Sequence, residues 1–149
     1  MRNAQLELTP LLVDSLYTEA MLLADEARAC FDRSFDAGHL SPEISVAFSC
    51  ESLKVTTRLM HSIAWLLNQK ALRAGEITES EARNETNNLG YAPASDGPLV
   101  LQFPPETQAL IGASEELYGR LQRLSEKMRA TVPQASEPHA MRDRLRASF

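Results

Sequence analysis

Apolar and polar positions alternate along the first part of the chain with the period of a helix. Placed at about 100° per residue, Leu12, Val13, Leu16, Tyr17, Ala20, Leu23, Ala24, Ala27, Cys30 and Phe31 share one arc of roughly 140°. Asp14, Thr18, Asp25 and Asp32 lie opposite. Thr9 followed by Pro10 is an N-cap and a first-turn proline that needs no backbone donor there. The pattern therefore predicts an amphipathic helix from about Pro10 to about Arg33.

The stretch SFDAGHLSPE holds Gly38 and a second cap, Ser41 before Pro42, so the chain turns and a helix starts again. No Gly or Pro interrupts it until Gly75, which allows one rod of roughly 50 Å at about 1.5 Å per residue. This helix is apolar around well over half its circumference. Phe48, Val55, Leu59 and Leu66 form a ridge with Ile63 and Leu67 beside it, and Met60, Leu53, Ala71, Val46 and Ala64 carry the apolar surface around. A helix of this kind needs neighbours on two sides, so it belongs in the middle of a bundle or against a second subunit. The narrow polar strip left over holds Glu51, Lys54, Arg58, His61 and Gln69, with Trp65 inside it.

Gly75 suits a left-handed C-cap, and Thr78 with Glu81 forms a capping box for a short helix through about Asn87. Residues 88–103, NLGYAPASDGPLVLQF, hold Gly90, Pro93, Gly97 and Pro98 and predict a long loop whose apolar end covers one end of the bundle. The double proline 104–105 opens a last helix, in which Leu110, Ser114, Leu117, Leu121, Leu124 and Met128 recur in threes and fours to about Ala130. The expected fold is all-α: an antiparallel three-helix bundle over 10–130 with a long central helix and a short extra one. An arm at 1–9 precedes it, and a flexible, disordered tail at 131–149 follows.

At 149 residues and 44% apolar content, one domain with a real core is the expectation. The net charge of −5 argues against a nucleic-acid partner, because phosphate contact needs a basic face. The charge is uneven: residues 1–36 carry seven acids and three bases, whereas 129–149 carry four arginines and two acids. Cys30 and Cys50 sit in apolar helical patterns without metal-ligand spacing and read as buried small residues rather than a disulfide. MRNAQLELTP lacks an apolar signal core, and no run is long enough to span a bilayer, so a cytoplasmic protein without a membrane span is expected.

The residues of an active centre are missing from the pattern. There is no Glu-x-x-His pair for a dinuclear carboxylate site, no Gly-rich phosphate loop and no Gly-x-Ser-x-Gly elbow. Asp36 and His39 are three apart but in a turn. The chain reads as non-enzymatic, with no cofactor and no metal.

What remains is a row. Lys54, Arg58, His61 and Trp65 succeed one another by one helical turn, so their side chains line up on one side. Three readings fit it. It is a recognition surface, since Trp and Arg most often dominate binding energy; or Trp65 packs under a neighbouring helix or loop while the charges are a solvated face; or the row faces a second copy of the chain. The tail segment MRDRLRASF, with Arg142, Arg144 and Arg146, is either a short linear docking motif or a plain solvated terminus.

The segment CESLKVTTRLMHSIAWLLNQKALRAGEIT, residues 50–78, resembles the signature of the regulator of CtrA degradation (RcdA) family, also catalogued as a bacterial domain of unknown function. The matching positions are Glu51, Ser52, Lys54, Thr56 or Thr57, Arg58, Leu59, Met60, Trp65, Leu66, Leu67, Gln69 and Lys70. LYTEAMLLADEA (16–27) and SEELYGRLQRLSEKM (114–128) resemble the family's first and third helices. Cys50 stands where the family has Ser, Lys54 where it has Arg, and the tail has no visible counterpart. The resemblance implies a three-helix bundle, often dimeric, that acts as a proteolytic adaptor. Such an adaptor helps deliver the transcription factor CtrA and other substrates to the ClpXP protease, after a response-regulator-like protein has primed it. It also implies docking by a second-messenger-binding protein and a delivery role for the C-terminal segment. The competing expectation is a dimeric helical scaffold unrelated to proteolysis.

Overall fold

A computed structural model describes residues 10–36, 41–82 and 88–131. The first helix, α1, spans Pro10–Asp36, and α2 spans Pro42–Arg73 without a break. Ser41 caps α2 as its hydroxyl accepts from the Ile44 N–H, with Pro42 in the first turn. The other end closes in a Schellman motif: Gly75 takes φ 75°, Glu76 N–H donates to Ala71 O and Gly75 N–H to Leu72 O. A β-carbon is strained at that φ, which accounts for the glycine.

The turn α3, Glu79–Ala82, is capped by Thr78, whose hydroxyl accepts from Glu81 N–H and lies 3.1 Å from the Glu81 carboxylate. Its expected extension to Asn87, the arm at 1–9 and the tail beyond 131 lie outside the described residues. The segment 88–103 is not a plain loop. Asp96 accepts from Leu99 N–H and starts a short helix, α4, Gly97–Val100, with Pro98 in its first turn. The last helix, α5, spans Pro105–Thr131. No strand occurs among the described residues, and the fold is all-α as expected.

α1, α2 and α5 pack each against the other two. Ion pairs and rings show their directions. Asp14, early in α1, meets Lys70 and Arg73, late in α2, at 3.5 and 3.2 Å. Arg33 reaches Glu106 at 2.6 Å, and Glu19 pairs with Arg120. α1 is thus antiparallel to both partners, and α2 and α5 run parallel to one another. In the antiparallel three-helix bundle expected from sequence each long helix would reverse the one before it; α2 does so, whereas α5 keeps the direction of α2. The parallel pair requires a connection that returns the length of the body, and the segment between Ala74 and Pro104 is that return.

The core is apolar over most of its length: Val13, Leu16, Ala20, Val55, Leu59, Leu66, Leu117 and Leu121 are buried. At one end Phe48 meets Phe31 and Phe103 edge-on, with ring centroids 5.0 and 5.4 Å apart, the geometry that aromatic quadrupoles favour. Phe103 is how the apolar end of the 88–103 segment joins the core; Leu101 instead stays exposed. Cys30 is buried and Cys50 exposed, both as free thiols, so the expected burial holds for only one of them.

Candidate functional site

Lys54, Arg58, His61 and Trp65 do line up along α2, but the row turns inward. Arg58 and Trp65 retain 1% and 4% of their exposure. The expectation of an open recognition surface fails at these two residues, because Arg58 is covered by the segment 88–96 and Trp65 is part of the apolar core. The reading in which Trp65 packs away is the one found, and Arg58, instead of being solvated, goes with it.

The cover is held by hydrogen bonds from core side chains. Arg58 Nη2 donates to Pro93 O at 3.1 Å and to Ser95 Oγ at 2.6 Å, while Nη1 donates to Ser114 Oγ on α5 at 3.2 Å. Ser114 donates onward to Ile111 O at 2.7 Å. Tyr118 Oη donates to Gly90 O at 2.6 Å and accepts from Ala92 N–H at 3.0 Å. Glu51 Oε1 accepts from Asp96 N–H and from Lys54 Nζ, both at 3.1 Å. One helical face thus carries a carboxylate and a guanidinium aimed at the same crossing segment, with the Lys54 ammonium paired to the carboxylate.

Electrostatics follow from this packing. Burial disfavours the Glu51 carboxylate, yet the Ser95 hydroxyl, the Asp96 N–H and Lys54 outweigh it and hold the carboxyl below its ordinary value. Burial pulls the Arg58 guanidinium down against the opposing fields of Glu115 and Glu51, and an arginine so placed stays charged. Glu51 Oε2 and His61 Nδ1 are buried without a hydrogen bond. His61 is half-buried directly beneath Gly90, where a β-carbon would come within 2.7 Å of the imidazole. Lys54 keeps part of its side chain in solvent. Arg142, Arg144 and Arg146 lie outside the described residues.

Sequence reading missed Ser95, Asp96, Ser114 and Tyr118. Ser114 carried a signal: it is the polar member of the otherwise apolar row from Leu110 to Met128, and a buried hydroxyl there needs a partner.

A second feature lies on the opposite side of α2. Val46, Leu53, Met60 and Leu67, seven residues apart, are 66%, 68%, 64% and 46% exposed. The other exposed positions between them, Cys50, Thr56 and Ala64, are uncharged as well. The Thr56 hydroxyl is turned back onto Ser52 O at 2.9 Å, so it offers solvent little polarity. The sequence counted much of this surface as wanting a neighbour, and among the described residues these four side chains stay exposed. Among the described residues, no group of three or more His, Cys, Asp or Glu side chains converges as a metal site. None of their helices is long and apolar enough to cross a membrane.

Residues 4–149 match the family described as Protein of unknown function (DUF1465). The crystal structure of RcdA from Caulobacter crescentus CB15 is similar at 31% identity, over 78% of this chain and 90% of that one, with a TM-score of 0.63. No curated protein is significantly similar.

Proposed function

The chain belongs to the DUF1465 family, which includes RcdA, and we propose from that premise that it is a non-enzymatic adaptor of regulated proteolysis. In this reading it helps deliver a CtrA-like cell-cycle regulator and other substrates to the ClpXP protease in the cytoplasm, alongside a response-regulator-like primer. The observation that carries the reading is the likeness to RcdA across nine-tenths of that protein's length. The physical character of the chain supports it. An adaptor needs a stiff body and separate places for separate partners, because tethering raises effective concentration without strong contacts.

The uncharged face of α2 supports a homodimer. Its seven-residue repeat is that of a left-handed helical seam, and an isologous contact pairs the face with itself. Lys54 and His61, at the edge of the cover, and Arg142, Arg144 and Arg146 in the tail are the proposed contacts for further partners. The same face also favours a second reading, a dimeric scaffold unrelated to proteolysis, since self-association alone would explain it.

Reconstituted degradation separates the two. ClpXP, its primer and a CtrA-like substrate are mixed with and without this chain. Faster loss of substrate with the chain present is expected of an adaptor; an unchanged rate, with the chain dimeric in the same buffer, would leave the scaffold. Removal of residues 132–149 should lower delivery while leaving the helical content of the body unchanged.

A further inference from the structure

The segment 88–96 is fastened unlike anything else in the described chain. Among the described residues, no backbone–backbone hydrogen bond joins residues 88–95 to a helix. Gly90 O, Ala92 N–H, Pro93 O and Asp96 N–H are instead met by Tyr118, Arg58 and Glu51. The apolar share is confined to Leu89, which packs partly buried against the core, and Ala92. Ala92 is the fully buried residue of the segment, Tyr91 is 81% exposed and Ala94 is exposed. The closed position also leaves Glu51 Oε2 and His61 Nδ1 without a hydrogen bond, and lifting the segment lets water reach both. Polar attachments that water can replace, with little apolar area behind them, are the mark of a unit that opens below the global unfolding limit.

We propose that residues 88–96 are a strap that lifts as a unit from the folded three-helix body, and that the seat it leaves takes an extended segment of a second protein. The strap itself displays the chemistry of that segment. Tyr118, Arg58 and Glu51 read main-chain groups, so they accept any extended backbone of the right length. Two positions are read by side chain. The residue over His61 must be as small as Gly90, and the residue five places on must offer a hydroxyl to Arg58, as Ser95 does at 2.6 Å. Tyr91 and Ala94 point away and leave their equivalents free. With the buried Ala92 also restricting its position to a small residue, the ligand is of the form Gly-x-Ala-x-x-Ser, and binding uncovers and then re-covers Arg58.

The inference stands whichever protein the adaptor delivers, and its test needs only the purified full chain. The probe is a synthetic peptide copying residues 88–97. Trp65 is the lone tryptophan and lies buried one helical turn beyond His61, the residue that Gly90 covers, so its emission reports changes at that end of the seat. In Gly90→Ala the new methyl presses on His61 and pushes the strap off. Hydrogen exchange at Ala92 and Asp96 should then accelerate about tenfold or more while the amides of α1, α2 and α5 hold their rates. Peptide affinity should rise by the same factor, because apparent affinity scales with the open fraction. Tyr118→Phe, checked for intact helicity, should weaken the peptide in the Gly90→Ala background. If the Ala92 and Asp96 amides of the wild-type chain exchange only with the helix core, the strap does not lift. If they exchange freely in Gly90→Ala and the peptide leaves Trp65 emission unchanged, the seat takes no ligand.

Discussion

The two ends of the contact between α2 and α5 solve the same packing problem by opposite means. Near Phe48 the interface is rings on edge, with Phe31 and Phe103 closing around it. Ten residues on, at the same depth, the space is filled by a guanidinium whose partners are a hydroxyl on α5, a carbonyl and a hydroxyl on the strap. An apolar contact is non-directional, and its loss scales with the volume removed. A buried charge tolerates few changes, because each partner removed leaves the others dry and unpaired. The aromatic end fastens the body, whereas the Arg58 end fastens a removable cover.

The heaviest blow to the comparison falls on the apolar side. Leu59 is buried at 3% exposure with nothing to pair a charge, so Leu59→Asp should unfold the domain outright, read as loss of the helical circular dichroism signal. Arg58→Met comes next. It keeps the packing stem and removes the donor to Pro93 O and to the Ser95 and Ser114 hydroxyls, for a loss of about 3 kcal/mol by urea titration. If the Arg58 end is a latch rather than core, most of that loss should vanish in a background where Gly90→Ala has already displaced the strap. Additivity of the two changes would instead place the guanidinium in the core proper.

Acid sharpens the contrast further. The Glu51 carboxyl is lower in the folded chain than its ordinary 4.5. Its contribution is therefore complete above that value and drains away as pH falls through the lower folded one, since protons then favour the unfolded chain. Stability measured across this range should fall less steeply in Glu51→Gln than in the wild type. Equal slopes would mean that Glu51 contributes nothing through its charge.

How much of this could be read from residues alone divides along the same line. Caps, breakers and periodicity are local, so Ser41-Pro42, Gly75 and the double proline at 104–105 marked the helices to within a few residues. The row from Lys54 to Trp65 was legible as a row for the same reason. Its direction was not. Whether Arg58 faces water depends on Ser95 and Pro93, some 35 residues away in a connection whose path periodicity does not describe, and on Ser114 across the bundle. The parallel course of α2 and α5 escaped for a related reason, because short loops imply antiparallel neighbours and a long return implies nothing by itself. The wide apolar surface of α2 was read as needing neighbours on two sides, in the middle of a bundle or against a second subunit; α1 and α5 cover one part, and Val46, Leu53, Met60 and Leu67 stay exposed.

The smallest expected effect on the folded body comes from that outside face, and there smallness is the informative result. Met60→Glu adds a charge at a residue already 64% exposed, so the unfolding free energy of the isolated chain from urea titration should change by no more than about 0.5 kcal/mol. In a symmetric dimer the same substitution acts twice across a seam that holds no opposite charge between Val46 and Leu67. Two like charges brought together there, away from water, oppose association far more than they disturb the monomer. Sedimentation should then show dimers in the wild type and monomers in Met60→Glu, with helicity alike in both. A monomeric wild type would show that this face needs no second copy, and dimers that survive Met60→Glu would place self-association on another surface.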